Sequence, residues 1–232
     1  NADGSIIFVP DIMFRTGAGD TSFNPRIQTE IIDLSLAAGY STISKKGWNW
    51  DISNAIGYNS FHYYGYKTFN ASIIGDASKT SFDDGGFRFL QNTLNIDASK
   101  QFGKENAGGL AVSYGAELRY ENYSIQAGEE ASYKAYPGVT GVTRQSPGAQ
   151  GFPGFSPADV TNENRLVSGL YGDVTYTPNN KLLITGAVRF ENYSDFGAVA
   201  TFKTSARYKV TNNFNLRGSI STGYRAPSLQ QK

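Results

Sequence analysis

The feature that most constrains this chain is a strict two-residue alternation held over long runs. Between 109 and 123, Leu110, Val112, Tyr114, Ala116, Leu118 and Tyr120 fall on one side of an extended backbone, against Ala111, Ser113, Gly115, Glu117, Arg119 and Glu121 on the other. Successive side chains of a strand point to opposite faces, so this stretch predicts a strand with one dry and one wet face. The pattern recurs at 48–58, where Trp48, Trp50, Ile52, Ile56 and Tyr58 oppose Asn49, Asp51, Ser53 and Asn59. It recurs again at 90–102, with Leu90, Leu94, Ile96 and Ala98 against Gln91, Thr93, Asn95, Asp97 and Ser99. Further strands are expected at 165–177, 182–193, 198–210 and 214–226. Segment 27–41 admits two readings. Its even positions Ile32, Leu34, Leu36, Ala38 and Tyr40 suit a strand, while Asn24-Pro25 ahead of Ile27, Ile31, Leu34 and Ala38 also suits a capped helix. The neighbouring strands favour the first.

Length separates the kinds of sheet. These runs cover roughly 11 to 15 residues, whereas strands of soluble domains cluster near about 5 to 6 and a tilted membrane-crossing strand needs about 9 to 11. No run approaches the 18 or so apolar residues of a membrane-spanning helix, so any crossing must be made by strands. Composition agrees: aromatics are 14% of the chain, yet mean hydropathy is -0.38, which requires apolar and polar residues to be interleaved. Short connections at 42–47, 103–108, 178–181 and 211–213 take turns with long ones at 62–86 and 124–164, as the periplasmic turns and external loops of outer-membrane barrels do. Phased this way, both ends of the chain fall on the external side, which predicts a part of a larger barrel. Tyr40, Trp48, Trp50, Tyr120, Phe190, Tyr208, Phe214 and Tyr224 lie near the ends of the apolar faces, where an aromatic girdle meets lipid headgroups.

The expected fold class is therefore all-β: an antiparallel up-and-down transmembrane β-barrel domain over 1–232, contributing about eight strands. On residues alone, a soluble sandwich whose apolar faces pack on each other stays open. Little points to chemistry. Net charge is +1 and the densest basic run is Lys45-Lys46, which gives no footprint for nucleic acid. There is no cysteine, and the one histidine, His62 in Phe61-His62-Tyr63-Tyr64, has no local orienting partner of the kind a general base needs. Asp83-Asp84, Glu129-Glu130, Asp11, Asp20 and Asp76 offer loop oxygens without calcium-loop spacing and read as solvated charge. Gly17-Ala18-Gly19-Asp20-Thr21-Ser22 lacks the lysine of a phosphate loop and reads as a turn. No catalytic residue, metal site or cofactor is expected.

At 187–197 the chain reads AVRFENYSDFG, and at 202–231 FKTSARYKVTNNFNLRGSISTGYRAPSLQQ. A hairpin of this kind, an Asn-containing turn and a strand running into Gly223-Tyr224-Arg225-Ala226-Pro227-Ser228-Leu229 resemble TonB-dependent outer-membrane receptors; LRYENYS at 118–124 echoes VRFENYS at 188–194. The resemblance implies location in the bacterial outer membrane and a barrel of roughly 22 strands whose lumen is plugged. It also implies partnership with outer-membrane lipid, with a plug domain and the TonB complex through residues other than these, and with a small nutrient ligand. That ligand would be a ferric siderophore, cobalamin, an oligosaccharide or a peptide. On this reading the wet-face charges Glu117, Arg119, Glu121, Arg189, Glu191, Arg207 and Arg225 form a lumen-facing network, and the loop aromatics Tyr63, Tyr64, Tyr133 and Tyr136 are candidate ligand contacts. A passive porin-like channel is the alternative transporter.

Overall fold

A computed structural model describes residues 24–73, 79–104, 107–136 and 147–231; the Gly17–Ser22 turn and Asp11, Asp20 and Asp76 lie outside them. Eight strands form one sheet: β1 (Arg26–Ile43), β2 (Asn49–Tyr66), β3 (Ser81–Lys104), β4 (Ala107–Ala127), β5 (Thr161–Thr177), β6 (Leu182–Tyr193), β7 (Gly197–Lys209) and β8 (Asn215–Ser221). Their order in the sheet is their order in the chain, an antiparallel up-and-down meander. Among the described residues, helix is confined to one turn, α1 (Glu130–Tyr133), and a 3-10 turn at Leu229–Gln231. Segment 27–41 is strand, as its neighbours favoured. No helix of the described residues is long and apolar enough to cross a membrane, which does not bear on crossing by strands.

Burial along the strands is inverted relative to a water-soluble protein. On β5, Arg165 is buried and Val167 fully so, while Leu166, Leu170 and Val174 between and beyond them are exposed. On β6, Val188 is 64% and Phe190 51% exposed, whereas Arg189 and Glu191 are partly covered. Water would penalise a sheet that turns its Val, Leu and Phe outward and covers its charges, whereas lipid rewards that arrangement. Register carries the pattern across the sheet: Arg189 lies opposite Tyr171 on β5 and Thr201 on β7, and Val188 opposite Gly172 and Phe202.

The residues group into two compact units, Asn1–Asp33 with Tyr58–Phe89 and Tyr123–Asn162, and Leu34–Gly57 with Leu90–Asn122 and Glu163–Lys232. The first packs around Phe69, Phe82, Tyr123 and Ala149, and the second around Ala98, Val167, Tyr193 and Leu229. In the second unit the turn between β1 and β2 closes with Gly47 donating to the Ser44 carbonyl. Gly47 sits at φ +76, a conformation that favours glycine. Beside it Trp48 meets Phe102 and Tyr114 edge-on, with ring centroids 6.1 and 5.5 Å apart, and Lys100 lies 4.8 Å over Phe102. A cluster of aromatics with a snorkelling lysine is what a headgroup girdle consists of.

Three expectations about extent need correction. The strands run past the alternating stretches, so β2 ends at Tyr66 and β3 begins at Ser81, and the connection expected at 62–86 shrinks to 67–80. The connection expected at 124–164 likewise shrinks to 128–160 and includes α1. At the other end, the strand expected at 214–226 stops at Ser221. Pro227 lacks an N–H for a ladder, and its carbonyl turns to accept a hydrogen bond from the Arg165 guanidinium at 2.9 Å.

Candidate functional site

In the second unit, β4, β5 and β6 raise odd-numbered residues on one face, where alternation places Glu117, Arg119 and Glu121, then Arg165, then Arg189, Glu191 and Tyr193. These build a continuous ionic ladder. Asp195 holds Arg165 at 2.8 Å, Arg165 reaches Glu121 at 3.6 Å, and Glu121 meets Arg119 at 2.9 Å. Arg119 lies 3.2 Å from Glu117, which also pairs with Arg189 at 3.0 Å. Arg189 is 2.8 Å from Glu191, whose other oxygen accepts the Tyr193 hydroxyl at 3.0 Å. Alongside, the Tyr171 hydroxyl donates to Asp97, and the Arg189 guanidinium lies 5.3 Å from the Tyr171 ring. A run of alternating charges shared by three strands fixes their relative register, because a slip of one residue would turn the charges to the other face and a slip of two would bring like charges together.

Five of the seven charges expected in the network, Glu117, Arg119, Glu121, Arg189 and Glu191, are thus brought together. Arg207 and Arg225 are not: both are exposed and make no ion pair among the described residues, Arg207 on β7 and Arg225 in the irregular segment after β8. Arg165 and Asp195 are the members that sequence reading missed. Arg165 has a side chain only 3% exposed, sits 5.7 and 5.3 Å from the rings of Tyr193 and Phe196, and ties the β6–β7 turn to Pro227. Its odd position on β5, in phase with Tyr171, was the available signal.

The first unit holds a loop junction. Asn70, wholly buried, donates from its side-chain amide to the carbonyls of Ala131 at 2.8 Å and Lys134 at 2.9 Å, while its Oδ1 accepts from the Ser72 backbone and hydroxyl. Thr68 donates to the Gln150 carbonyl at 2.6 Å, and the Ser132 carbonyl accepts from both Ala149 and Gly154. Asn70 therefore laces segment 68–72 to segment 131–134, satisfying backbone groups that a loop cannot otherwise pair when buried.

Beside the junction lies an aromatic cluster. Phe61 and Phe87 stack with centroids 5.4 Å apart and planes 6° from parallel, Tyr63 meets Phe152 at 5.1 Å and Phe155 at 6.3 Å, and Phe87 meets the buried Tyr123 at 6.1 Å. Of the four aromatics singled out from sequence, only Tyr63 joins it. Tyr64 packs with His62 and Tyr66 at 4.8 and 6.5 Å, as alternation along β2 requires. Tyr136 lies under the Lys134 ammonium and donates to Glu130 at 3.3 Å, and Tyr133 ends α1. Lys134, 2.5 Å from Glu130, holds that carboxyl below the usual carboxylate range.

His62 finds the partner that local sequence did not offer, with its Nε2 2.7 Å from Asp83 Oδ1. The reading of Asp83-Asp84 as solvated charge holds for Asp83, whose side chain is 47% exposed, and fails for Asp84, which is wholly buried. No group of three or more metal-ligating side chains is assembled among the described residues.

Comparison with known proteins gives one consistent picture. Residues 7–232 match the family model described as TonB dependent receptor-like, beta-barrel. The vitamin B12 transporter BtuB of Vibrio vulnificus (strain CMCP6) is 25% identical over 172 residues, covering 71% of this chain and 27% of the relative. Two solved structures superpose on 85% of the chain: the RagAB peptide transporter, at TM-score 0.57 and 11% identity, and the RagAB peptide importer in its closed-closed state, at 0.58 and 13%. These likenesses establish the fold, and the chain spans 23% and 22% of those two chains.

Proposed function

The chain belongs to the TonB-dependent receptor-like β-barrel family, and from that premise we propose that it forms part of the wall and ligand-capturing mouth of an outer-membrane receptor for active nutrient import. The observation that carries this reading is the inverted sheet. Apolar side chains such as Leu170, Val188 and Phe190 face outward for lipid, and the ladder from Asp195 to Glu191 lies on the opposite, lumen-lining face. The connections laced by Asn70 form the capture surface. Tyr63, flanked by Phe61, Phe152 and Phe155, contacts the ligand there, and Tyr64, Tyr133 and Tyr136 support the loops from outside the cluster. Ligands compatible with such a site include ferric siderophores, cobalamin, oligosaccharides and peptides; a related transporter is named for vitamin B12 and two structural neighbours for peptides. No step of covalent chemistry is assigned to the chain. Import would be energised through a plug domain and the TonB complex, by residues other than those described.

The test is ligand uptake by cells expressing the intact protein, with and without a functional TonB complex, screened across these four classes. Uptake that requires the complex supports the receptor reading, and uptake of equal rate without it replaces that reading by a passive channel. For the ligand so found, Tyr63→Ala in the intact protein is expected to weaken equilibrium binding about tenfold, the scale of one lost aromatic contact at an interface. Tyr64→Ala is expected to change it less than about twofold. Equal effects of the two would remove the cluster from the capture surface.

A further inference from the structure

Asp84 is the one described residue whose carboxylate is wholly buried with neither oxygen hydrogen-bonded. It stands at the start of β3, outside the alternating stretch 90–102, where β2 at Gly65 and the stretches 128–129 and 154–155 close on it. A methyl group added at Gly65 of β2 would lie 3.0 Å from Asp84 Oδ2, one at Gly154 would lie 3.0 Å from its Cα, and one at Gly128 would lie 2.7 Å from its carbonyl carbon. Its backbone is part of the closure: Phe155 donates to the Asp84 carbonyl at 2.9 Å and Glu129 to that of Asp83 at 2.8 Å.

The charges around it do not compensate a carboxylate. On β3 itself Asp83 is negative and is occupied by His62 of β2 at 2.7 Å. From the junction before α1 comes Glu129, also negative and held by Lys79 at 2.6 Å, while Lys134 is engaged by Glu130. Segment 67–70 brings only the exposed Lys67, and segment 148–156 carries no charged side chain. Burial first, then Asp83 and Glu129, push the Asp84 carboxyl up from 3.8 to about 7.

We propose that Asp84 is a proton-operated latch on the loop junction. Protonated, its carboxyl stays sealed against Gly65 with its backbone against Gly128 and Gly154, and the stretches 128–129 and 154–155 are locked onto the start of β3; deprotonated, it opens the junction to reach water. The direction follows from linkage. The closed junction raises the affinity of Asp84 for its proton, so closure is fully favoured below about pH 4, weakens as pH rises, and reaches its weakest level above about pH 7. Between those limits the opening equilibrium grows up to about tenfold per pH unit. The latch stands on the geometry of the junction; its control of ligand capture rests on the function proposed above.

The measurement is hydrogen exchange of the Glu129, Gly154 and Phe155 amides in the intact protein in detergent, without ligand, from pH 5 to pH 8. Results are expressed as protection factors, so that intrinsic base catalysis divides out. Protection is expected to fall by up to tenfold per pH unit to about pH 7 and then level off. In Asp84→Asn it is expected to be independent of pH, and in His62→Gln to keep the native slope. Flat protection in the native protein, or an unchanged slope in Asp84→Asn, overturns the latch and leaves the receptor reading standing. A native slope together with ligand affinity that does not vary over the same pH range overturns its link to capture.

Discussion

Arg165→Ala is expected to destabilise the protein by about 3–5 kcal/mol, the cost of breaking a buried ion pair by removing one partner. The guanidinium is almost fully covered and serves Asp195, Glu121 and the Pro227 carbonyl at once. Removing it leaves Asp195 and Glu121, with side chains 10% and 14% exposed, without their shared cation. It also frees the segment after β8, where Tyr224 packs against Tyr193 and Phe196 and Leu229 is buried. Denaturant unfolding in lipid measures the loss, and protease cleavage within 222–231 should quicken in the variant. Arg165→Met fills similar volume and should still lose most of the stability, because Asp195, Glu121 and the Pro227 carbonyl lose the guanidinium they share. Adding Asp195→Leu to it should recover part. A loss below about 1 kcal/mol for Arg165→Ala would place the residue among ordinary surface ion pairs.

Gly85→Ala is the second large effect. Gly85 adopts φ +80, and a methyl group there would lie 2.6 Å from the Gly128 backbone nitrogen and 2.8 Å from the Ala127 carbonyl carbon. Both obstacles are backbone, which no side-chain rotation relieves, so strain and overpacking add to about 3 kcal/mol or more. Because Glu129 bonds to Asp83 directly beside this point, the junction should lose protection from hydrogen exchange locally as well. Gly186→Ala and Gly218→Ala are the controls: nothing lies within 4 Å of the added methyl at either, and neither has a left-handed backbone. Both are expected to change stability by less than about 1 kcal/mol. Similar losses at all three glycines would contradict the packing described for the junction.

The strands were legible because lipid on one side and water on the other impose a period of two over many residues, as at Leu110–Tyr120 on β4. Strand ends were not. In Phe61-His62-Tyr63-Tyr64 both faces carry aromatics, one set packing with Phe87 and Phe152 and the other with Tyr66, so the alternation that marks a strand fades while the strand continues. The ladder was half legible for a similar reason. Arg119 with Glu121 and Arg189 with Glu191 are two residues apart and must share a face, whereas Arg165 meets partners 30 and 62 residues away. Asp84 reads as solvated charge in the sequence because the segments that close on it, at Gly65, Gly128 and Gly154, are distant in the chain and leave no periodic trace.

The ladder and the junction are different uses of buried polarity. In the ladder each carboxylate has a guanidinium, and the gain is register more than energy, since desolvating the charges offsets most of their attraction. At the junction a carboxyl is enclosed without a partner, which costs stability whenever it ionises. A structural wall suits the first arrangement and a movable loop the second.

On the proposed receptor reading, even-numbered residues of β6 and β7 face lipid while odd-numbered ones face water. Single cysteines introduced into the intact protein at Thr185, Ala187, Val188 and Phe190 on β6, and at Phe202 and Lys203 on β7, carry a spin label whose collisions with oxygen and with a water-soluble nickel chelate are counted in lipid vesicles. High oxygen and low nickel exposure is expected at Val188, Phe190 and Phe202, and the reverse at Thr185, Ala187 and Lys203. Nickel exposure of equal size at all six positions would contradict it, because the apolar face would then stand in water.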